Sequence, residues 1–115
     1  MLMHAGFTVQ QTRTGTEILD VITEDTDVVV LDINLPNVNG MEICRRLKAH
    51  ASTAQIPVIF ISSAHEVAEV NMIGSRLGVS ACLAKPVSSK DLVNAINLAI
   101  CQRDLQKRLR RQASA

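Results

Sequence analysis

Two short apolar runs, residues 27–32 (DVVVLD) and 56–61 (IPVIFI), constrain this chain more than any other feature. Both are rich in β-branched side chains, and neither alternates with polar residues. Successive side chains of a strand point to opposite faces, so a strand solvated on one face must alternate. A strand that does not is covered on both faces, the condition of a parallel sheet held between helices. Residues 7–12 (FTVQQT) do alternate and suit an outer strand. Residues 81–84 (ACLA) make a short fourth, ending at Lys85 and Pro86.

Helical patterns fill the intervals. Residues 16–22 carry Ile18, Leu19 and Ile22 on one stripe, and residues 41–49 carry Ile43, Cys44 and Leu47. Residues 66–77 carry Val70, Ile73 and Leu77 at helical spacing, and Gly78 supplies a stop. Ser88 and Ser89 cap a last helix whose inward face is Leu92, Val93, Ile96, Ala99 and Ile100. The order βαβαβαβα predicts a parallel sheet with right-handed crossovers. The last helix is expected to run on through Leu105 and Leu109, past what the domain needs. We therefore divide the chain into a domain over 1–101 and a basic helical extension or linker over 102–115.

At 115 residues there is room for one domain with a single core. Hydrophobic residues are 47% and charged residues 20%, which places the chain among folding sequences. Phe7 and Phe60 are the two aromatics, so base-stacking nucleic-acid binding is not expected and the core should be aliphatic. Net charge is +1, which favours neither nucleic acid nor an anionic membrane. Lys107, Arg108, Arg110 and Arg111 crowd the tail and read as a solvated helix end. Cys44, Cys82 and Cys101 are widely spaced, without a disulfide or zinc pattern, and fit a reducing cytoplasm. His4, His50 and His65 lie in separate segments and suggest no metal site. The methionines read as core or terminal residues.

In an open parallel sheet, reactive groups gather beyond the carboxyl ends of the strands. Asp32 stands at that end of the first strong run, Ser62 and Ser63 follow the second, and Lys85 follows the fourth strand. A carboxylate can take a phosphoryl group, an ammonium can pair with the resulting charge, and a hydroxyl can donate to it. Each residue alone has an ordinary structural reading: a loop cap, a surface ammonium, a turn serine.

Together they are specific. Leu31, Asp32, Ile33, Asn34, Leu35 and Pro36, with Gly40 eight residues after the Asp, resemble the phosphorylation loop of response-regulator receiver domains. Residues 57–64 resemble that family's fourth strand and its switch hydroxyl, and Ala84, Lys85 and Pro86 its Lys-Pro step. The resemblance covers residues 1–100. It implies a flavodoxin-like α/β fold, a three-layer sandwich about a parallel sheet of order 2-1-3-4-5. It implies Asp32 as phosphoacceptor, Asn34 offering its backbone carbonyl to Mg²⁺ beside Asp32, and Ser62 and Lys85 as switch and phosphate-binding residues. Pro86 is implied to follow a cis peptide bond. The donor would be a histidine kinase or phosphotransfer protein, with no nucleic acid or membrane bound by this domain and no enzyme activity of its own.

Two departures qualify this. The family's switch aromatic on its fifth strand falls at Cys82, which cannot swing as a Tyr or Phe does. The family also opens with a strand bearing an acidic pair and then a helix, whereas Met1, Leu2, Met3, His4, Ala5 and Gly6 read as only that helix's last turn. We therefore expect a receiver lacking its first strand, most of its first helix and the acidic pair. Asp27 lies about 16 Å down the strand from Asp32, Glu24 and Asp25 precede it, and Glu66 is a single acid on a loop. Weak Mg²⁺ binding and slow or absent phosphorylation follow, with association through an exposed strand edge or the last helix. The alternative is a receiver-fold interaction or dimerisation module that works without phosphorylation. A phosphohydrolase using Asp32 would want a second acid two residues on, where Asn34 stands.

Overall fold

The computed structural model describes residues 15–34 and 39–114. The expected strand over residues 7–12 lies outside these, as do Leu35 and Pro36. The described elements run α1 (Gly15–Val21), β1 (Val29–Asp32), α2 (Gly40–Ala49), β2 (Val58–Ser62), α3 (Val67–Leu77), β3 (Ala81–Ala84) and α4 (Ser89–Ser114). The three strands form a parallel sheet of order β1-β2-β3. Val29 pairs with Val58 and Asp32 with Ile61, while Ile59 pairs with Ala81 and Ser62 with Ala84.

Side-chain alternation along each strand divides the interior into two. Val29, Leu31, Val58 and Phe60 face one way and pack with Ile43, Cys44, Leu47 and Val70. Ile59 faces the other way, with Val30 and Leu83 beside it, against Leu92, Ile96 and Ala99 of α4. The sheet is covered on both faces, which is why its strands do not alternate in sequence. The core is not wholly aliphatic: Phe60, fully buried, is its largest side chain. Met72 departs from the core reading and is 64% exposed on the outer side of α3.

Strand ends follow local chemistry. Pro57 has no N–H to contribute, so β2 begins at Val58, and the Pro57 carbonyl accepts from the Val29 amide at 2.9 Å. β2 extends to Ser62, whose carbonyl accepts from the Lys85 amide at 2.8 Å. Asn39 caps α2 by accepting from the Glu42 amide at 3.1 Å. Gly78 closes α3 at φ +81°, a conformation open to glycine at little cost. Ser88 accepts from the Asp91 amide at the head of α4.

Two basic residues hold the lower part of the fold. Lys48 reaches from α2 to donate to the carbonyls of Ala54 and Ile56, both at 3.2 Å. Burial pulls its ammonium below the usual lysine range, against a smaller opposing effect of Cys44. Arg103 of α4 donates to the Asp27 carboxylate at 3.2 Å and to Asp104 at 3.0 Å. Desolvation lowers this guanidinium, but those hydrogen bonds and charges outweigh it and leave the pKa raised. Beyond Arg103, residues 104–113 are exposed. Among the described residues, no helix is long and apolar enough to cross a membrane.

The cysteines differ in setting. Cys44 is fully buried and Cys82 half-buried, and burial raises both thiols, while Cys101 is exposed. Because the thiolate is the reactive form, we expect an aromatic disulfide reagent to modify Cys101 first and Cys44 only on unfolding. Peptide mapping of a time course checks this; early labelling of Cys44 would mean that the α2 face opens in the native state.

Candidate functional site at the carboxyl ends of the strands

Asp32 is the last residue of β1, and Lys85 follows β3 directly. The β1-β2-β3 register places these ends side by side, with Ser62 closing β2 between them. Lys85 Nζ lies 2.7 Å from Asp32 Oδ2. The side chains are 39% and 25% exposed, so the pair is open to an incoming group. The other carboxylate oxygen, Oδ1, accepts from the Asn34 amide at 3.0 Å, forming an Asx-type turn that folds the chain back over the strand end. The Lys85–Pro86 peptide is cis.

Ser62 is at the same rim but in a different condition. It is fully buried, and among the described residues its hydroxyl has no hydrogen-bond partner. The strands thus bring the carboxylate and the ammonium into contact and leave the hydroxyl unengaged with either.

Asn34 does more than its position in sequence suggests. Its side-chain oxygen accepts from the Ser63 amide at 2.6 Å, and its Nδ2 donates to Glu66 Oε2 at 2.9 Å. One amide side chain therefore ties the loop after β1 to the loop after β2, with Glu66 at the head of α3 as its far anchor. The available signal was an Asn two residues after a strand-end Asp, a pattern that favours turn-forming side-chain bonds. Asp27 occupies the opposite end of the sheet with Arg103, as the strand length requires.

These positions can be set against known proteins. Residues 1–97 match the response regulator receiver domain, so the chain belongs to that family. It is 33% identical over 94 residues to the transcriptional regulatory protein CreB of Escherichia coli (strain K12), covering 80% of this chain and 39% of that protein. It is 30% identical over 96 residues to the transcriptional regulatory protein GltR of Pseudomonas aeruginosa, covering 83% of this chain and 39% of the relative. The chain thus spans about two fifths of the length of these relatives. Among solved structures, a response regulator receiver domain protein from Clostridium thermocellum superposes with a TM-score of 0.80 at 31% identity, covering 91% of this chain and 83% of that one. The parallel α/β class read from the strand pattern and the flavodoxin-like fold implied by the resemblance are borne out by these likenesses and by the helix-covered parallel sheet.

Receiver domains in general bind Mg²⁺, which asks for near-octahedral oxygen ligation. The described residues do not fit such a site. Both Asp32 oxygens are engaged, by Lys85 and by the Asn34 amide, and the Glu66 carboxylate is held by Asn34. Among the described residues no three His, Cys, Asp or Glu side chains gather where a cation would sit.

Proposed function

We propose that this chain is a phosphoacceptor signalling domain of a two-component system, with Asp32 receiving the phosphoryl group. The observation that carries this is the 2.7 Å contact between Lys85 Nζ and Asp32 Oδ2 at the open rim of a receiver-family sheet. A carboxylate oxygen of Asp32 attacks phosphorus, the bond from phosphorus to the donor's leaving atom breaks, and that atom leaves with its electron pair and takes up a proton. The product is an aspartyl phosphate. Lys85, already beside the carboxylate, pairs with the new phosphoryl oxygens. The Ser62 hydroxyl, without a hydrogen-bond partner among the described residues, donates to one of them.

The donor is a histidine kinase or phosphotransfer protein, and the cellular setting is the cytoplasm. The domain is not itself an enzyme. Output through an attached or separate transcriptional regulator fits the names of CreB and GltR. A second reading, a receiver-fold interaction module that works without phosphorylation, is favoured by one observation: half-buried Cys82 holds the position of the switch aromatic.

Incubation with a small-molecule phosphodonor and millimolar Mg²⁺, followed by intact mass and peptide mapping, tests the proposal. We expect slow addition of one phosphoryl group, confined to the peptide containing Asp32. No label at saturating donor and Mg²⁺, or label on another residue, would reject the phosphoacceptor reading.

A further inference from the structure

Glu66 sits at the N-cap position of α3, yet its side chain makes no cap for that helix. Its Oε2 instead accepts from Asn34 Nδ2 at 2.9 Å, 32 positions back along the chain. The same amide group is held at its other end, where Asn34 Oδ1 accepts from the Ser63 amide at 2.6 Å. Ser63 and Glu66 close one turn, in which the Ser63 carbonyl accepts from the Glu66 amide at 3.1 Å. A single turn therefore grips both ends of the Asn34 side chain.

We propose, on the reading of Asp32 as phosphoacceptor, that Glu66 is a positioning residue for phosphoryl transfer and acts on Asp32 through Asn34. A primary amide has a donor end and an acceptor end. Between a carboxylate and a backbone N–H it fits in one orientation, since a half-turn would set oxygen against oxygen and N–H against N–H. Glu66 thus fixes which way the amide points, and with it the course of the loop after β1.

That loop reaches the nucleophile. The backbone N–H of Asn34 donates to Asp32 Oδ1 at 3.0 Å, while Lys85 Nζ meets Oδ2 at 2.7 Å. The carboxylate is held at both oxygens, and its hold from the loop side is only as firm as the loop itself. Keeping a reacting group in productive geometry raises its rate, because conformers that cannot reach phosphorus are removed beforehand. The site needs from residue 66 an acceptor for Asn34, not a negative charge, so glutamine can take its place.

Glu66→Ala and Glu66→Gln separate position from charge. Labelling by the small-molecule phosphodonor should be slower by about threefold or more in Glu66→Ala. Glu66→Gln should stay within about twofold of the parent chain. Adding Asn34→Ala to Glu66→Ala should slow labelling no further, because both changes remove the same link. Amide hydrogen exchange reads the link without any phosphorylation. The Ser63 N–H should exchange about three- to tenfold faster in Glu66→Ala and at the parent rate in Glu66→Gln. Residues 34 and 66 are both exposed, so circular dichroism and the melt should be the same in all variants.

A Glu66→Gln chain as slow as Glu66→Ala would overturn the proposal, since charge and not position would then be at work. So would additive losses in the double variant, or a Ser63 exchange rate untouched by Glu66→Ala. A parent chain that takes no label sinks the phosphoacceptor reading and the role of Glu66 together. A labelled parent with any of the other failures sinks the role of Glu66 alone.

Discussion

Asp32→Asn is expected to abolish phosphoryl labelling outright while leaving the fold almost untouched. The amide has the shape of the carboxylate but no anionic oxygen to attack phosphorus, so even slow transfer should stop. The ion pair it breaks is a partly exposed one, 2.7 Å long with side chains 39% and 25% exposed. Pairs of that kind contribute no more than about 1 kcal/mol. Phosphodonor labelling followed by mass analysis, beside a thermal melt of the same sample, separates the two effects. Residual labelling in the variant would place the acceptor elsewhere. Lys85→Met is the useful companion: it keeps the nucleophile and should slow labelling without ending it.

The second large effect concerns Phe60→Ala. Phe60 is fully buried in the middle of β2, and it closes the space behind α3. A Cβ built on Gly74 would meet its ring at 3.5 Å and Val79 Cγ2 at 2.6 Å, which shows how closely helix and strand approach there. Truncation removes the largest side chain of the core and leaves a cavity that neighbours cannot fill, at a cost of about 3–5 kcal/mol. Domains of this size commonly have only about 5–15 kcal/mol in total. Urea unfolding followed by circular dichroism should show a large fall in midpoint at unchanged slope. A loss under about 1 kcal/mol would mean that α3 collapses into the space and that the packing is looser than described.

The elements that proved readable in sequence share one property: their signal is local. The run at residues 56–61 announces a doubly covered strand through composition alone, and Gly78 ends α3 through its own φ. The meeting of Asp32 with Lys85 also followed, because parallel strands deliver their carboxyl ends to one rim. What escaped depends on where a second segment sits. The Asn34 side chain was legible as a turn former, but its bonds to Ser63 and Glu66 need the β2–α3 loop in place. Arg103 finds Asp27 across 76 positions of chain, and no periodicity encodes that. Met72 reads as core by residue type, and its exposure reflects that no described element covers the outer side of α3.

The attachment of α4 has a mechanical corollary. The helix is seated on the sheet through Leu92, Ile96 and Ala99, is pinned to the foot of β1 by Arg103, and then continues to Ser114, exposed over residues 104–113. At 1.5 Å per residue the stretch from Leu92 to Ser114 is about 33 Å long, of which the last ~16 Å lies beyond Arg103. A pivot of only about 5° at its seat sweeps the tip through roughly 3 Å. Small rearrangements of packing inside the domain are therefore delivered at its far end as displacements the size of an atom, by leverage alone.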